Sequence, residues 1–357
     1  MTSLNADGRQ YFNCPPCLSD VLQLEERCPR LTPIMCITLL STAHPAYPFI
    51  LLSNRDEFLN RPTAPAHWWD APNEHVLGGR DLQRSARGTW LGITRQGRIA
   101  NLTNFRDEGE EVARNKSRGG LVTAYLATAS ESGWDNERFV KYLVDDLGIH
   151  NVGGFTLLFG ELREPKDGSL PGLAAVSNRT SSAEGVPKIA TKLGETHGLS
   201  NSHFGDTTWP KVVHGEQSLK GAIDTDSGRV HNKDEFIGCL FDVLSVDSLP
   251  RPKEGESFQT YTRQLRNSIL IPPVGGQGII SKPADKVAAA NGTDVADNGE
   301  VKVGDGIYGT QKQTVILVDT EGHVTFVERT LFDGAAQPTP ADQNATRFDF
   351  DIEGWHR

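Results

Sequence analysis

Cys36 follows Met35 at the head of an apolar run, Met35-Cys36-Ile37-Thr38-Leu39-Leu40, and Asn54-Arg55-Asp56-Glu57 closes a second run that starts at Tyr47. These residue types suit thiol chemistry. A neighbouring guanidinium lowers a thiol pKa, and a carboxylate can hold an amine in place. The chain has two methionines, Met1 and Met35, so the internal one directly precedes this cysteine. If the chain begins at Cys36, through a start at Met35 or removal of the first segment, an α-amine of pKa about 7.7–8 lies beside a thiol of about 8.5. One group can then take the other's proton near neutral pH. That is the chemistry of an N-terminal nucleophile, which carries its own general base. Arg55 is expected to lower the thiol pKa and Asp56 to hold the amine.

The two runs read as a hairpin turning at residues 41–46, which carries the Arg55 and Asp56 end of the second strand toward the start of the first. A second hairpin is predicted from Thr89 to Leu102, with its turn at Arg95-Gln96-Gly97. Asn104 lies just past it, either as an oxyanion donor or as a residue that closes a turn. Helices are predicted from a Ser117 cap to Ser130, from an Asp135 cap until Gly148 stops it, and from near Asn232, where Phe236, Ile237, Leu240, Phe241 and Leu244 form one stripe. Cys239 is expected as a buried thiol in that last helix. Asn201 falls between a strand end and a helix that opens at Thr208-Trp209-Pro210-Lys211, so it either orients a substrate or serves as a cap. Residues 314–318 and 323–328 form the clearest hairpin, turning at Glu321-Gly322, and Phe348 and Phe350 alternate as in a short edge strand. Residues 66–70, with His67, Trp68 and Trp69, read as a loop. Either it walls a pocket with His67 as a metal or haem ligand, or Trp68 packs on the sheet and His67 faces water.

Met35-Cys36-Ile37 followed by Asn54-Arg55-Asp56-Glu57 resembles the NRDE family, also called the transport-and-Golgi-organisation protein 2 family. The likeness continues in family order through Gly88-Thr89-Trp90-Leu91-Gly92-Ile93, Asn101-Leu102-Thr103-Asn104, Gly198-Leu199-Ser200-Asn201 and Thr314-Val315-Ile316-Leu317-Val318-Asp319. More distantly, the layout resembles cysteine N-terminal-nucleophile amidohydrolases that cleave penicillin V and bile-salt amides. The resemblance implies Cys36, Arg55, Asp56, Asn104 and Asn201 as site residues. It also implies an α+β fold of two antiparallel sheets between helical layers, a four-layer αββα sandwich, which the count of hairpins and helix pairs suits as well. Two functions follow as expectations. One is a soluble factor in Golgi organisation, protein secretion and haem or lipid handling, whose cleft binds haem, a lipid-like molecule or an amide. The other is an amidohydrolase with Cys36 as nucleophile and no cofactor required for catalysis. A cytoplasmic location is expected, with Golgi or mitochondrial association. The late block departs from the family pattern: where Gly-Thr-Arg-Thr-Asn-Thr is common, this chain reads Gly309-Thr310-Gln311-Lys312-Gln313-Thr314.

Composition sets the remaining bounds. At 357 residues the chain can bury a substantial core, and its net charge of −10 argues against a nucleic-acid binder or a polybasic membrane tether. No apolar stretch approaches the roughly 20 residues of a membrane-spanning helix. Five cysteines without a secretory leader point to an intracellular protein with reduced thiols. Residues 1–34 read as a disordered leader, 35–335 as one domain with a flexible insertion at about 274–305, and 336–357 as a tail. Cys14-Pro15-Pro16-Cys17 opens a third reading, a redox or metal protein. The dipeptides Cys14-Pro15 and Cys28-Pro29 fit either haem-thiolate ligation or coincidence in a Pro-containing leader.

Overall fold

The opening hairpin alternates its faces. In β1 (Ile37–Ser41) and β2 (Phe49–Phe58), Leu40, Phe49 and Leu51 point to one side, and Ile37, Leu39, Ile50 and Leu52 to the other. Both faces are apolar, so each must be covered. A computed structural model describes residues 35–105, 118–128, 133–251, 261–275, 306–340 and 343–356. The expected leader, with Cys14, Cys17 and Cys28, lies outside the described residues, as do residues 276–305 of the expected insertion and the expected Ser117 cap.

The chain continues through β3 (Thr63–Trp68), β4 (Val76–Asp81), β5 (Leu91–Thr94), β6 (Arg98–Asn104), α1 (Arg118–Ala127) and α2 (Asn136–Lys141). Next come β7 (Phe155–Glu161), β8 (Leu173–Ser177), β9 (Lys188–Ile189), β10 (Thr196–Leu199), α3 (Pro210–Ser227) and α4 (Lys233–Leu244). The last strands are β11 (Val274–Gly275), β12 (Ile307–Val318), β13 (His323–Thr330) and β14 (Ala345–Asp351). One antiparallel sheet runs β10-β1-β2-β12-β13-β14, with β11 added beside β12; the other follows chain order from β3 to β9. Leu40, Phe49, Leu51, Ile316 and Phe326 of the first sheet meet Leu77, Ile93, Ile99 and Leu158 of the second. Helices α3 and α4 cover the outer face of the first sheet through Leu219, Phe236, Leu240 and Phe241. Helix α1 with α2 covers the outer face of the second through Leu121, Tyr125 and Phe139. The result is the expected αββα sandwich.

Several local expectations change. Residues 63–68 are a strand rather than a loop: Pro65 lacks an N–H, but β3 is a sheet edge and its register shifts between Ala64 and His67, where proline is tolerated. Trp68 packs between the sheets, its ring 5.0 Å from Phe350, while Trp69 turns to the helical face and donates Nε1–H to Gly78 O at 3.0 Å. His67 is half-buried, its Nδ1 2.8 Å from Pro65 O in a solvent-exposed contact. Cys239 is exposed. Helix α4 turns Phe236, Ile237, Leu240, Phe241 and Leu244 inward, and position 239 falls on the opposite side. The Asp135 cap forms as expected, accepting from Arg138 N at 2.8 Å, but the regular helix ends at Lys141 and continues as a π turn. Leu265, Ile269 and Ile271 are buried, so residues 261–275 belong to the packed core. Beyond Asp333, β14 pairs with β13 and Trp355 is buried against the Glu321-Gly322 turn, where Gly322 at φ +82° leaves room for the indole.

Polar side chains also cross between the sheets. Lys312 Nζ lies 3.3 Å from Glu328 Oε1, both nearly fully buried, and the same oxygen accepts from Ala66 N at 2.8 Å. The pair thus joins β12 and β13 to the edge strand of the other sheet. Removing one member leaves a buried charge without its counter-ion, a loss of about 3–5 kcal/mol. Chemical denaturation of Lys312→Met is therefore expected to show a loss of that size, with Lys312→Met/Glu328→Met recovering part of it.

Candidate active site around Cys36

The apolar filling between the sheets stops at the end where β1 begins and β2 ends. Thr38, Asn101, Arg55 and Gln311 replace it, and Thr38 Oγ1 donates to Asn101 Oδ1 at 2.7 Å across the gap. Cys36 heads this polar end. Its Sγ is 3.7 Å from Asp56 O and 3.4 Å from Asp56 N, which donates to it. The hairpin therefore brings Cys36 and Asp56 together, as its spacing predicts.

Alternation along β2 sends consecutive residues opposite ways. Arg55 points between the sheets, its guanidinium 4.4 Å from the Trp90 ring centroid. Its Nη1 donates to Gln311 Oε1, and its Nη2 lies 3.8 Å from Glu57 Oε2. Asp56 points toward α3: Thr310 Oγ1 donates to its Oδ1 at 2.7 Å, and Lys211 Nζ lies 3.8 Å from its Oδ2. Gln311 occupies a β-bulge between Thr310 and Lys312, which turns its side chain toward Arg55. Its Nε2 donates to Leu59 O and Arg61 O. The family's late arginine is thus an amide here, accepting from Arg55, and the adjacent Lys312 is committed to Glu328.

Lys211 supplies a cation that sequence reasoning missed. It sits in the first turn of α3 and is fully buried, and its Nζ donates to the carbonyl oxygen of Met35. Met35 N donates to Tyr308 Oη at 2.9 Å, and Ser200 Oγ donates to Cys36 O at 2.7 Å. The Met35–Cys36 peptide is held from three directions. A lysine beside the positive end of a helix dipole is ordinarily solvated, so its type and position gave no signal of this role.

The two asparagines also meet. Asn201 Nδ2 donates to the backbone oxygen of Asn104, and Asn201 Oδ1 accepts from Ser200 Oγ at 3.2 Å. Asn201 therefore ties the end of β6 to the residue that holds Cys36, with one of its two amide N–H groups already engaged. Asn104 ends β6 with its Oδ1 buried and lacking a hydrogen-bond partner among the described residues.

Electrostatics run against the expected thiol activation. Burial and the Asp56 carboxylate push the Cys36 thiol up to about 12, outweighing the opposite pull of Arg55 and Lys211. Burial also lifts Asp56 to about 7 against the downward pull of Lys211, and lowers Lys211. With Met35 attached, Cys36 is a neutral thiol. Further out, Arg61 reaches Asp81, and burial beside Arg84 brings Arg118 down to about 10.

The family described as Transport and Golgi organisation 2 has a model that matches residues 35–333. A Mus musculus relative, "Transport and Golgi organization 2 homolog", is 31% identical over 291 residues, covering 81% of this chain and 88% of its own. The Homo sapiens "Transport and Golgi organization protein 2 homolog" is 32% identical over 292 residues, also with 81% and 88% covered. Among solved structures, a mutant conjugated bile acid hydrolase from Clostridium perfringens aligns over 90% of this chain and 94% of its own, at 11% identity and a TM-score of 0.38.

In the chain that retains Met35, alkylation of Cys36 by iodoacetamide is expected to rise about tenfold per pH unit through pH 9 without a plateau, because the thiolate fraction is still growing. Asp56→Asn removes a charge that raises the thiol pKa and should speed the reaction at pH 8, whereas Arg55→Gln should slow it. A plateau near pH 7, followed by mass spectrometry of the labelled peptide, contradicts this electrostatic picture.

Proposed function

The chain belongs to the Transport and Golgi organisation 2 family, and from that premise we propose that it serves Golgi organisation and protein secretion as a small-molecule-binding protein. We place its ligand site at the polar end of the inter-sheet space around Cys36. The observation that carries this reading is the placement of the Cys36 sulfur against the Asp56 backbone at the polar end of the inter-sheet space, where the Arg55 guanidinium stacks on Trp90. While Met35 remains attached, Cys36 has no α-amine to act as base, so binding rather than turnover suits the site. We assign haem or a lipid-like molecule as the cargo. The Trp90 face offers a flat apolar surface, and Arg61 and Arg118 at the rim suit carboxylate groups. The protein works in the cytoplasm, with association to Golgi or mitochondria. No helix among the described residues is long and apolar enough to cross a membrane.

One observation favours a second reading, that of a cysteine amidohydrolase. Asp56 Oδ2 is buried without a hydrogen-bond partner among the described residues, next to the cysteine whose α-amine would appear once Met35 is removed. That amine would take the thiol proton, and the thiolate would attack an amide carbonyl carbon. Asn104, positioned by Asn201, would donate to the oxyanion. The ammonium would return its proton to the leaving nitrogen as the C–N bond breaks, and water would then hydrolyse the thioester, restoring thiol and amine.

Haem titration followed by absorbance is expected to shift the Soret band at micromolar haem in the wild type and to lose that shift in Cys36→Ala. An unchanged band in the wild type overturns haem as cargo. Intact mass of the chain expressed from its own gene separates the two readings: a protein that retains Met35 excludes the amidohydrolase, and one that begins at Cys36 with turnover of N-acyl amides establishes it.

A further inference from the structure

On the other side of the second sheet, away from Cys36, a recess of about 140 Å³ opens between the start of β6 and the start of α2. Arg98, Tyr125, Asn136 and Glu161 line it. Arg98 is only 3% exposed. Its Nη1 donates to Trp134 O at 3.1 Å, while its Nε and Nη2 are buried without a hydrogen-bond partner among the described residues. Those two nitrogens share one edge of the guanidinium. Their N–H bonds run parallel and in plane, the fork that matches two oxygens of a carboxylate or phosphate. Leaving both donors unmade in a buried site costs about 1–3 kcal/mol each. We propose that this recess binds a small oxyanion through the Nε and Nη2 edge of Arg98.

Its neighbours prepare that edge. The guanidinium lies 4.2 Å from the Tyr125 ring centroid, and Tyr125 Oη donates to Asn136 Oδ1 at 2.6 Å. The stacked ring fixes the plane of the fork before a ligand arrives, which lowers the entropy lost on binding. Because the Asn136 oxygen is engaged by Tyr125, its amide NH₂ is the part left to donate into the recess. The volume exceeds the roughly 30 Å³ share of a single water, yet falls below that of a drug-sized pocket, so the ligand is the size of acetate or orthophosphate. Charge suits a monoanion better than a dianion: Glu161 is paired with Arg163 at 2.6 Å, the Asp135 carboxylate caps α2 and keeps its charge, and Arg98 has no carboxylate partner among the described residues. Anchoring the Trp134 carbonyl needs only Nη1 and leaves the other edge unexplained.

The full chain would be titrated with sodium acetate and with sodium phosphate at constant ionic strength, with chloride as reference, by calorimetry and thermal unfolding. At least one oxyanion should bind saturably, and the arm that binds identifies the ligand as carboxylate or phosphate. Arg98→Lys keeps the charge but removes the fork, so affinity should fall about tenfold or more. Glu161→Gln leaves Arg98 intact and should tighten binding, while Cys36→Ala should leave it unchanged. Absence of saturable binding beyond chloride in the wild type overturns the proposal, as does undiminished affinity in Arg98→Lys. If Arg98→Lys fails to fold, unchanged affinity in Glu161→Gln overturns it instead.

Discussion

Asp56 and Lys211 face each other across 3.8 Å with no side-chain surface open to water. Burial disfavours the charged form of both, and their mutual attraction opposes it without cancelling it. Much of the surrounding architecture answers this one constraint. Thr310 donates to the carboxylate and is held in turn by Ile271 N at 2.8 Å, which brings residues 261–275 into the core. The lysine satisfies a donor on the Met35 carbonyl, which draws the start of the chain's first strand against α3. A segment of low sequence regularity and the first turn of a distant helix are thereby tied to the same carboxylate.

The sandwich is correspondingly uneven along its length. Where both sheets offer Leu, Ile and Phe, the gap is filled and dry. Where β1 starts and β2 ends, apolar alternation gives way to Cys36, Thr38, Arg55 and Gln311, and the filling turns polar. The bulge at Gln311 sharpens the difference, because an extra residue in β12 turns an amide toward Arg55 that a regular strand would direct elsewhere. An arginine at that point would face Arg55, whereas the glutamine accepts from it. The cationic influence on the thiol comes instead from Arg55 between the sheets and Lys211 on the helical side.

Protonation and covalent state are coupled in such a site. A thiol held near 12 is inert toward amides, and the peptide bond to Met35 removes the base that would activate it. The two proposed readings, binding and hydrolysis, therefore correspond to two covalent forms of one geometry. The recess at Arg98 stands apart from that coupling, on the face of the second sheet that α1 and α2 cover.

Local pattern determined a good deal. Two-residue alternation placed the opening and closing hairpins, the Phe236-to-Leu244 stripe placed α4, and the joint spacing of Cys36 and Asn54-Arg55-Asp56-Glu57 put the thiol beside Asp56. These succeed because strand and helix periods depend on neighbours within a few residues. Tertiary structure alone decided the rest. That Lys211 reaches the Met35 carbonyl, that Asn201 is occupied by Asn104, and that residues 63–68 form an edge strand despite Pro65 all depend on contacts between distant segments. The direction of the Cys36 pKa shift belongs to the same class. Adjacent charges are readable from the chain, but the desolvation that outweighs Arg55 arises only when two sheets and a helix close over the sulfur.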